Sequence, residues 1–548
     1  MENIWKNPIS FVIFSIGLFP YLCEAQYPEI LWWQDLNAPS FGSAAIGDID
    51  GDDKPEIVFG TYFNDEHIYA LNAEDGSPHW SYNTGGCNDA SPTIADVDLD
   101  GELEVVAPAS SPYHVYCFNG TTGDIEWDAS TGYPNCIDSP PAVADVDNDG
   151  KPEVILGAWY GNVFAFDGED GSVAWHINLG SNSYIQSGPN ILDLNDDGTL
   201  DVVVAQWAGD FRVYALKGVD GSTLWYSDVP QDHMYHGGSF ADIDEDGKPE
   251  IAIGCYDNHV YVFNEDGTLL WDYAESYYVG APTSIADLNN DNHLEIVFVS
   301  YNKLGVLSHM GDSLLWSYYT GGNMFRGAAI ADIDGDGILD VAFGSDDGVL
   351  RVLRGSDGQV IWAYDLESHY GQTFEMNHAP VIADFNGDGK LDIFIIGGYA
   401  TSSQPQNNHG RAYALAAGDG TGTGWPMFRH DLRHSACFHG PWPGVDEMRN
   451  TKIKRQDYEF LQSYPNPFDQ MTEIKFQISI SGYTTLKIYN TAGGLVRTLV
   501  NESKEKGCYI AQWNRRSDDA RKLPAGIYFC QLKTKDFINT KKLIVIGR

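Results

Sequence analysis

A nine-residue acidic pattern recurs eight times along this chain and constrains its fold more than any other feature. One copy reads DVDNDGKPE, from Asp145 to Glu153, with carboxylates at its first, third, fifth and ninth positions. Gly150, in sixth position, permits a turn with positive φ that returns the last carboxylate towards the first three. Calcium prefers a flexible, oxygen-rich loop of this kind, so the pattern predicts a Ca2+ site.

The eight copies begin 45 to 52 residues apart and keep a carboxylate or carboxamide at all four positions. One copy would be typical of an acidic surface turn, but eightfold repetition argues against that interpretation. Where the sixth residue is not glycine it is Asp53 or Asn292, types that tolerate the left-handed region. We expect the ions to be structural, because the same loop in every repeat cannot mark one active site. The predicted ligands are Asp48, Asp50, Asp52, Glu56, Asp96, Asp98, Asp100, Glu104, Asp145, Asp147, Asp149, Glu153, Asp193, Asn195, Asp197, Asp201, Asp242, Asp244, Asp246, Glu250, Asp287, Asn289, Asp291, Glu295, Asp332, Asp334, Asp336, Asp340, Asp384, Asn386, Asp388 and Asp392.

Each repeat predicts four short strands, one before the acidic loop and three after it. Four strands per repeat of this length is the size of a propeller blade, so the chain is predicted to be all-β, with an eight-bladed β-propeller. Seven blades is the alternative, if the last repeat is incomplete. A tryptophan marks the fourth strand of seven repeats, and Trp425 is the candidate in the eighth. The segment EILWWQDL near the N-terminus reads as a fourth strand with no blade before it, and we expect it to complete the last blade around residues 411–438.

The charge and the two ends of the chain indicate an exported protein. The net charge is −46, but residues 449–548 hold 18 Lys and Arg against 9 Asp and Glu, whereas the remainder holds 14 against 69. An excess of that size in the first part disfavours nucleic acid and anionic membrane as partners. The apolar run 9–22, followed by CEAQ, predicts a signal peptide over residues 1–25, with no transmembrane helix in the mature chain.

Cysteines and histidines give no strong signal. Seven cysteines follow the predicted signal peptide without a C-x-x-C pair, so a zinc site is not predicted and disulfides stay open, with Cys508 and Cys530 as one possible bridge. His430 and His434 have the spacing of metal ligands on a helix, but a turn and a closing strand is the favoured interpretation.

Two families resemble the repeats. The acidic loop followed by VILG resembles the FG-GAP (VCBS-type) repeat of integrin-α-like propellers, and VYALKGVDGSTLW resembles the repeat of PQQ-type propellers; together they cover residues 30–438. The resemblance implies a calcium-stabilised propeller that serves as a binding or adhesion scaffold. PQQ enzymes of this type commonly carry adjacent cysteines under the cofactor, and this sequence has no Cys-Cys pair.

The last part of the chain resembles the C-terminal sorting domain of the bacterial type IX secretion system. The matching motifs are SYPNPF, LKIYNTAGGLVRTL, LPAGIYFCQL and KKLIVI, in that order. The resemblance implies recognition by the type IX machinery, export across the outer membrane and a place at the cell surface. Strand spacing alone predicts a small Ig-like β-sandwich. The predicted organisation is a signal peptide (1–25), a propeller (26–440), a linker (441–460) and a sorting domain (461–548).

Ligands are expected on the propeller face opposite the acidic loops. Aromatic residues follow the second strand of several repeats, and the loops that lead into the first strands differ from repeat to repeat, with Tyr184, Gln186, Tyr235 and Tyr278 among their residues. The alternative is that the aromatic side chains only pack between blades. The predicted ligand-binding residues are Trp159, Trp207, Tyr256, Tyr301, His233, His236, Arg326, Glu375 and His378. The leading hypothesis is a module that binds glycan or protein ligands without chemistry, and the alternative is a polysaccharide lyase that uses Glu375 and His378 as an acid/base pair.

Overall fold

A computed structural model describes the chain as two compact units, residues 1–451 and 452–548. The described residues are 28–132, 134–420, 423–427, 461–464, 468, 471–478, 482–491, 494–504, 507–517, 521–534 and 538–546. The predicted signal peptide, the predicted linker and the pair His430 and His434 lie outside these residues.

The first unit consists of eight antiparallel sheets, numbered here along the chain. Strand β1 (Glu29–Leu36) comes first and belongs to sheet 8. Sheets 1 to 4 are β2 (Ala45–Gly47), β3 (Glu56–Gly60), β4 (His67–Asn72), β5 (Pro78–Asn83); β6 (Thr93–Ala95), β7 (Glu104–Ala109), β8 (His114–Asn119), β9 (Ile125–Ser130); β10 (Ala142–Ala144), β11 (Glu153–Gly157), β12 (Asn162–Asp167), β13 (Val173–Asn178); and β14 (Asn190–Leu192), β15 (Asp201–Ala205), β16 (Val213–Lys217), β17 (Thr223–Ser227).

Sheets 5 to 8 repeat the pattern, with additions near the end. They are β18 (Ser239–Ala241), β19 (Glu250–Cys255), β20 (His259–Phe263), β21 (Leu269–Ala274); β22 (Ser284–Ala286), β23 (Glu295–Ser300), β24 (Lys303–Leu307), β25 (Leu314–Tyr319); β26 (Ala329–Ala331), β27 (Asp340–Phe343), β28 (Val349–Arg354), β29 (Val360–Asp365); and β30 (Val381–Ala383), β31 (Leu391–Tyr399), β32 (His409–Gly418) with β1. Helix α1 (Leu366–Tyr370) lies between β29 and β30, and a 3₁₀ turn (Pro405–Asn407) lies between β31 and β32. Strand β33 (Thr423–Trp425) adds a fifth strand to sheet 7. The described residues thus form eight sheets in this unit, while the number of blades, eight or seven, stays a prediction.

The hydrophobic core lies between neighbouring sheets, which is why the middle strands are apolar along their whole length. One buried cluster joins Val58 of sheet 1 to Val105 of sheet 2, and the next joins Val106 of sheet 2 to Val154 of sheet 3. The series returns to its start, because Phe394 of sheet 8 packs in one cluster with Phe59 of sheet 1. Face-to-face packing that closes on itself in this way is a β-propeller.

The repeated tryptophans join each sheet to the next. In seven sheets the indole Nε1 of the fourth strand donates to a backbone carbonyl of the following sheet, at 2.6 to 3.0 Å. The carbonyl lies at the 3–4 turn in six of them, and Trp362 donates to Ala417 near the end of β32. Trp127, for example, donates to Gly168 at 2.7 Å. A Cβ on Gly171 of the same turn would lie 2.5 Å from the Trp127 ring, so glycine is required there for close packing as well as for its positive φ of 69°. The exception is Trp271, whose buried Nε1 has no hydrogen-bond partner.

The two ends of the first unit meet in one sheet, as the N-terminal segment predicted. Strand β1 pairs with β32 in antiparallel register, with Trp33 opposite Tyr413. Trp32 is therefore the fourth-strand tryptophan of sheet 8, and its indole donates to Ala73 of sheet 1 at 2.7 Å. The assignment of Trp425 to that position was wrong, because β33 pairs with β26 of sheet 7 instead.

The second unit is a β-sandwich of two antiparallel sheets. Their strands are β34 (Leu461–Tyr464), β35 (Thr472–Ile478), β36 (Gly482–Asn490), β37 (Leu495–Lys504), β38 (Gly507–Trp513), β39 (Gly526–Lys533) and β40 (Ile538–Val545), in the orders β34-β35-β38 and β37-β36-β39-β40. Side chains from both sheets form one core, with Trp513 fully buried against Tyr528. Cys530 is a free, buried thiol in that core, so the possible bridge from Cys508 is not formed.

No helix in the described part of the chain is both long and apolar enough to cross a membrane.

Candidate functional site

The eight acidic loops share one hydrogen-bond scheme, which connects the first strand of each sheet to the second. The ninth residue begins the second strand, and its carboxylate accepts from the backbone N–H of the second loop residue at 2.7 to 3.2 Å in all eight copies. The first carboxylate accepts from the N–H of the sixth residue at 2.8 to 3.3 Å. These bonds fold the loop around its own acidic side chains.

The turn chemistry of the sixth position follows the sequence prediction. Asp53 and Asn292 stand there with φ of 71° and 70°, close to the 89° of Gly150. The structure adds a second left-handed residue that sequence reasoning missed, at the fourth position of every loop. Leu99 holds that position in the second loop with φ of 64°, and its side chain is 48 % exposed. A left-handed leucine costs about 1 to 2 kcal/mol, because its Cβ approaches the backbone.

We expect Leu99→Asn to stabilise the protein. Asn148 and Asn290 occupy the same position in other loops, and their Nδ2 groups donate to Gly198 and Gly337 of the next loop at 2.8 and 2.9 Å. The substitution relieves the leucine strain and supplies the corresponding bond, which together amount to about 1 to 2 kcal/mol. Denaturant unfolding measures the gain. Leu99→Gly is the control that removes strain without adding the bond, and a lower midpoint for Leu99→Asn than for the wild type would contradict the prediction.

Buried carboxylate oxygens without a partner gather in these loops. Asp96 Oδ1 and Glu104 Oε1 are both buried and unpaired in the second loop, and Asp332 Oδ1 and Asp340 Oδ1 are the same pair in the seventh. In the third loop, one oxygen each from Asp145, Asp147 and Glu153 lie within 4.8 Å of one another, and four other loops hold a similar triplet. Burying unpaired acceptors this close together is unfavourable unless a cation lies among them.

The carboxyls at the ninth position have raised pKa values, which also indicates negative charge without a compensating cation. Burial, reinforced by the neighbouring loop carboxylates, raises the pKa of Glu104 to about 9 and that of Glu153 to about 8, although a backbone N–H opposes the shift. All eight ninth-position acids have raised pKa values, the lowest being about 6 at Asp201. The residues present therefore fit a divalent cation, which would balance the charge and supply the missing partner.

Seven aromatic rings form a continuous arc on the opposite face, across sheets 3 to 6. They alternate between loops that follow second strands and loops that lead into first strands, and the backbones of the two kinds of loop hydrogen-bond, as from Trp207 N to Tyr184 O at 2.8 Å. We call this set the aromatic arc: Trp159, Tyr184, Trp207, His233, Tyr256, Tyr278 and Tyr301. Successive centroids lie 4.8, 6.2, 4.5, 6.0, 4.6 and 5.9 Å apart.

The rings of the arc both pack and remain accessible. Tyr256 and Tyr278 stack at 4.6 Å with an angle of 11° between their planes, so the rings support one another. All seven side chains keep part of their surface exposed, and Tyr301 is 39 % exposed. The arc contains five of the nine predicted ligand-binding residues. Their role in binding stays a prediction, but the interpretation that they serve only as inter-blade packing does not account for their exposure.

Three other predicted ligand residues are buried near the propeller axis, where loops from distant sheets meet. We call the loops that lead into the first strands the axial loops. Arg326, from the axial loop of sheet 7, donates to Phe41 O at 2.5 Å and Asp89 O at 3.1 Å, and its NH1 lies 3.0 Å from His236 Nδ1. His378 Nε2 accepts from Ala44 N at 2.8 Å. Arg326, His236 and His378 are therefore buried, and their contacts indicate that they hold the axial loops together, while their role in ligand binding stays a prediction.

The environment of His378 does not favour the predicted acid/base role of Glu375 and His378. Burial lowers the pKa of His378 to about 3, and its Nε2 already accepts a hydrogen bond from Ala44 N.

Sequence reasoning missed another carboxyl, Asp346. It stands at the position after the second strand where sheets 3 to 6 carry an aromatic residue. Burial and then Glu375 raise the pKa of Asp346 to about 7. Its neighbour Asp347 is also partly buried, which alone raises a carboxyl pKa, but hydrogen bonds from Arg351 and Ser345 lower it to about 2.

Family comparisons agree with both units of the structure. A profile for the secretion system C-terminal sorting domain matches residues 462–546. The last domain is a type IX sorting domain. An FG-GAP-like repeat profile matches residues 193–253, 287–343 and 332–395, and a profile of the outer membrane protein assembly factor BamB matches residues 25–205. No curated protein matches this sequence. The sorting domain places the protein at the cell surface or in the extracellular space.

Solved structures share the propeller fold at low sequence identity. The Vibrio cholerae biofilm matrix protein Bap1 is 16 % identical with a TM-score of 0.54, over 71 % of this chain and 91 % of that one. Sqt1 from Saccharomyces cerevisiae is 12 % identical with a TM-score of 0.52, over 71 % and 98 %. A quinohemoprotein alcohol dehydrogenase from Pseudomonas putida is 15 % identical with a TM-score of 0.50, over 72 % and 77 %. Likeness at this level concerns the fold alone.

Proposed function

We propose that the protein is a calcium-loaded propeller that binds carbohydrate outside the cell through the aromatic arc. The single observation that carries the proposal is the arc itself, in which seven partly exposed rings follow one another across four sheets. Aromatic residues of this kind combine a rigid apolar face with a polar edge. A sugar ring presents C–H groups on its faces and hydroxyls around its rim, so the two surfaces are complementary. The length of the arc favours a polysaccharide over a single sugar.

Calcium belongs to the same proposal as a structural ion on the face away from the arc. The ligands would be the carboxylate and carboxamide oxygens of the eight loops. Buried oxygens that lack a partner are contributed by first-position and ninth-position acids: Asp96, Glu104, Asp145, Asp201, Asp332 and Asp340. The ion supplies positive charge to a loop whose own residues are acidic. Its contribution to ligand binding is indirect, since each loop fixes the first two strands of its sheet and thereby the loops at their other ends.

We expect Trp207→Ala and Tyr256→Ala each to weaken carbohydrate binding strongly. Both rings lie in the middle of the arc, where truncation removes an anchor and leaves its neighbours without support, so a loss of about 2 kcal/mol, or roughly 30-fold in affinity, is expected. Binding is measured by calorimetry against the soluble polysaccharide that a panel of neutral, acidic and amino polysaccharides identifies. Tyr319→Ala is the matched control, because Tyr319 is 65 % exposed on the outer strand of sheet 6 and lies outside the arc.

The proposal fails if no polysaccharide in the panel binds, or if the double variant Trp207→Ala/Tyr256→Ala binds as the wild type does. If the same surface instead binds a protein, and the same variants lose that binding, the class of ligand is protein and not carbohydrate.

A polysaccharide-cleaving enzyme is the second candidate, and the pair Asp346 and Asp347 favours it. Neighbouring carboxyls with pKa values of about 7 and about 2 are the kind of pair that divides acid and base roles in an active site. Asp346 is near the end of the arc, since its charge acts on the Tyr278 hydroxyl. Incubation of uronic-acid polysaccharide with the protein tests this directly, because a lyase produces unsaturated chain ends. Their appearance with the wild type and their loss in Asp346→Asn would favour the enzyme.

A further inference from the structure

Two carboxylates stand at equivalent places in neighbouring axial loops, close to the propeller axis. Asp89 leads into sheet 2 and Asp138 into sheet 3. Four donors converge on Asp138: Trp159 Nε1 at 2.9 Å, Gln186 Nε2 at 2.5 Å, Ser110 Oγ at 2.8 Å and Cys136 Sγ at 3.7 Å. These contacts hold the buried Asp138 side chain in place.

The charges that face these acids do not balance. The carboxylates of Asp89 and Asp138 act on each other and on the guanidinium of Arg326, which is buried beside them. Burial, with Asp138 adding to it, raises the pKa of Asp89 to about 8, although Arg326 acts in the opposite direction. Without a ligand this carboxyl therefore holds a proton at neutral pH, because two ionised carboxylates would face one guanidinium. A bound cation would take the place of that proton and let both acids be ionised.

Two buried acceptor atoms among the residues around Asp138 lack donors. Asp89 Oδ1 and Gln186 Oε1 are buried and have no hydrogen-bond partner, and the whole Gln186 residue is only 6 % exposed. Its Nε2 donates to Asp138, so its unpaired oxygen belongs to the same cluster. A buried acceptor without a donor is unfavourable, and native proteins rarely leave two together. Asp89 Oδ1 is buried, although the residue as a whole keeps part of its surface exposed.

Aromatic rings surround these acceptors and connect them to the arc. Trp159, a member of the arc, donates to Asp138, while Tyr62 and Tyr235 lie close enough for both carboxylates to affect their hydroxyls. Tyr235 also contacts Trp207 of the arc at 6.1 Å between centroids. All four rings are partly exposed. Carboxylates with aromatic rings beside them are a combination that can bind an organic cation.

A metal ion fits this place less well than an organic cation. In the part of the chain that the structure describes, every triplet of side chains close enough to hold a metal lies in an acidic loop, on the other face. Asp89 and Asp138 belong to none of these triplets. A primary ammonium group has three N–H donors and a single charge, which matches unpaired acceptors and the one proton that a cation would replace.

We propose that the axis of the propeller binds the ammonium group of an amino sugar, which Asp89 and Gln186 accept while neighbouring rings of the polysaccharide lie on the arc. This inference rests on the proposed carbohydrate function and specifies its substrate class as a polysaccharide with free amino groups.

The test compares two oligosaccharides of equal length, one of glucosamine and one of N-acetylglucosamine, by calorimetry with the full chain. We expect the glucosamine oligomer to bind at least tenfold more tightly. Asp89→Asn should reduce that preference to less than threefold, because the amide keeps the shape and removes the charge. Asp228→Asn, an exposed acid at the start of the axial loop of sheet 5, is the matched control and should keep the preference.

Gln186→Met serves as a second variant if Asp89→Asn lowers the melting temperature, since it removes the other acceptor at similar size. Equal binding of the two oligomers, or an unchanged preference in both variants, would overturn the ammonium site while leaving carbohydrate binding by the arc intact. Binding of a neutral polysaccharide with no binding of the glucosamine oligomer would overturn it equally. Loss of all carbohydrate binding in the arc variants, by contrast, concerns only the proposed function.

Discussion

Removal of divalent cations with EDTA should unfold the propeller rather than only weaken its binding. Extracellular calcium sites commonly have dissociation constants of about 10⁻⁴ to 10⁻³ M, and a ligand at ten times that concentration stabilises the native state by about 1.4 kcal/mol per site. Eight independent sites would then contribute roughly 11 kcal/mol, which is comparable to the net stability of a typical domain. The expected result is a large fall in melting temperature by circular dichroism, reversed when calcium is restored.

A single-loop variant separates calcium binding from other effects of the chelator. Asp145→Ala removes the first ligand of the third loop, so it should lower the melting temperature in calcium and narrow the gap between calcium and EDTA samples. Asp228→Ala, which changes an exposed acid outside the loops, should leave that gap unchanged. Identical melting of the wild type with and without EDTA, together with no calcium by elemental analysis, would contradict the proposal and reduce the loops to acidic turns.

The inter-sheet tryptophans should give the largest effects of any single substitution in the propeller. Trp127 is 6 % exposed and donates to Gly168, so Trp127→Ala should cost about 3 to 5 kcal/mol through the cavity and the lost bond. Trp127→Phe retains most of the packing but leaves the Gly168 carbonyl without this donor, at a cost of about 1 to 3 kcal/mol. The measurement is the free energy of unfolding in denaturant.

The chain contains its own control for that hydrogen bond. Trp271 occupies the same position in sheet 5, but its buried Nε1 has no acceptor. Trp271→Phe removes an unpaired polar group instead of a bond, so we expect it to cost less than about 1 kcal/mol. Equal destabilisation by Trp127→Phe and Trp271→Phe would show that ring size, and not the bond to the next sheet, decides the contribution.

The repeated parts of this protein could be predicted because the same local signal occurs eight times. The turn at Gly150 and its substitutes Asp53 and Asn292 depends on residues within one loop, and so it is visible in the sequence. The fourth-position turn was missed because that position varies in residue type, and Leu99 shows that even an unsuitable residue is held there by the surrounding bonds. Trp425 was misplaced because strand pairing depends on distant partners, in this case β26.

The axial contacts could not be predicted for the same physical reason. Arg326 meets Asp89 across 237 residues and Phe41 across 285, and no local pattern reports such a meeting. Sequence reasoning marked Arg326 and His378 as ligand-binding residues on loops, and polar loop residues are usually exposed. Loops from several sheets meet near the axis and bury them, and the same meeting brings Asp89 and Asp138 close to Arg326.

The pairing of β1 with β32 has a consequence for the order in which the protein is made. Strand β1 can pair with β32 only after residues 409–418 have been synthesised, so the ring stays open during most of translation. The sorting domain begins later still, at residue 462. A chain that stops early therefore lacks the export signal whenever it lacks the closing strand. Because the sorting domain follows β32 along the chain, every chain that contains the sorting domain also contains both strands that close the ring.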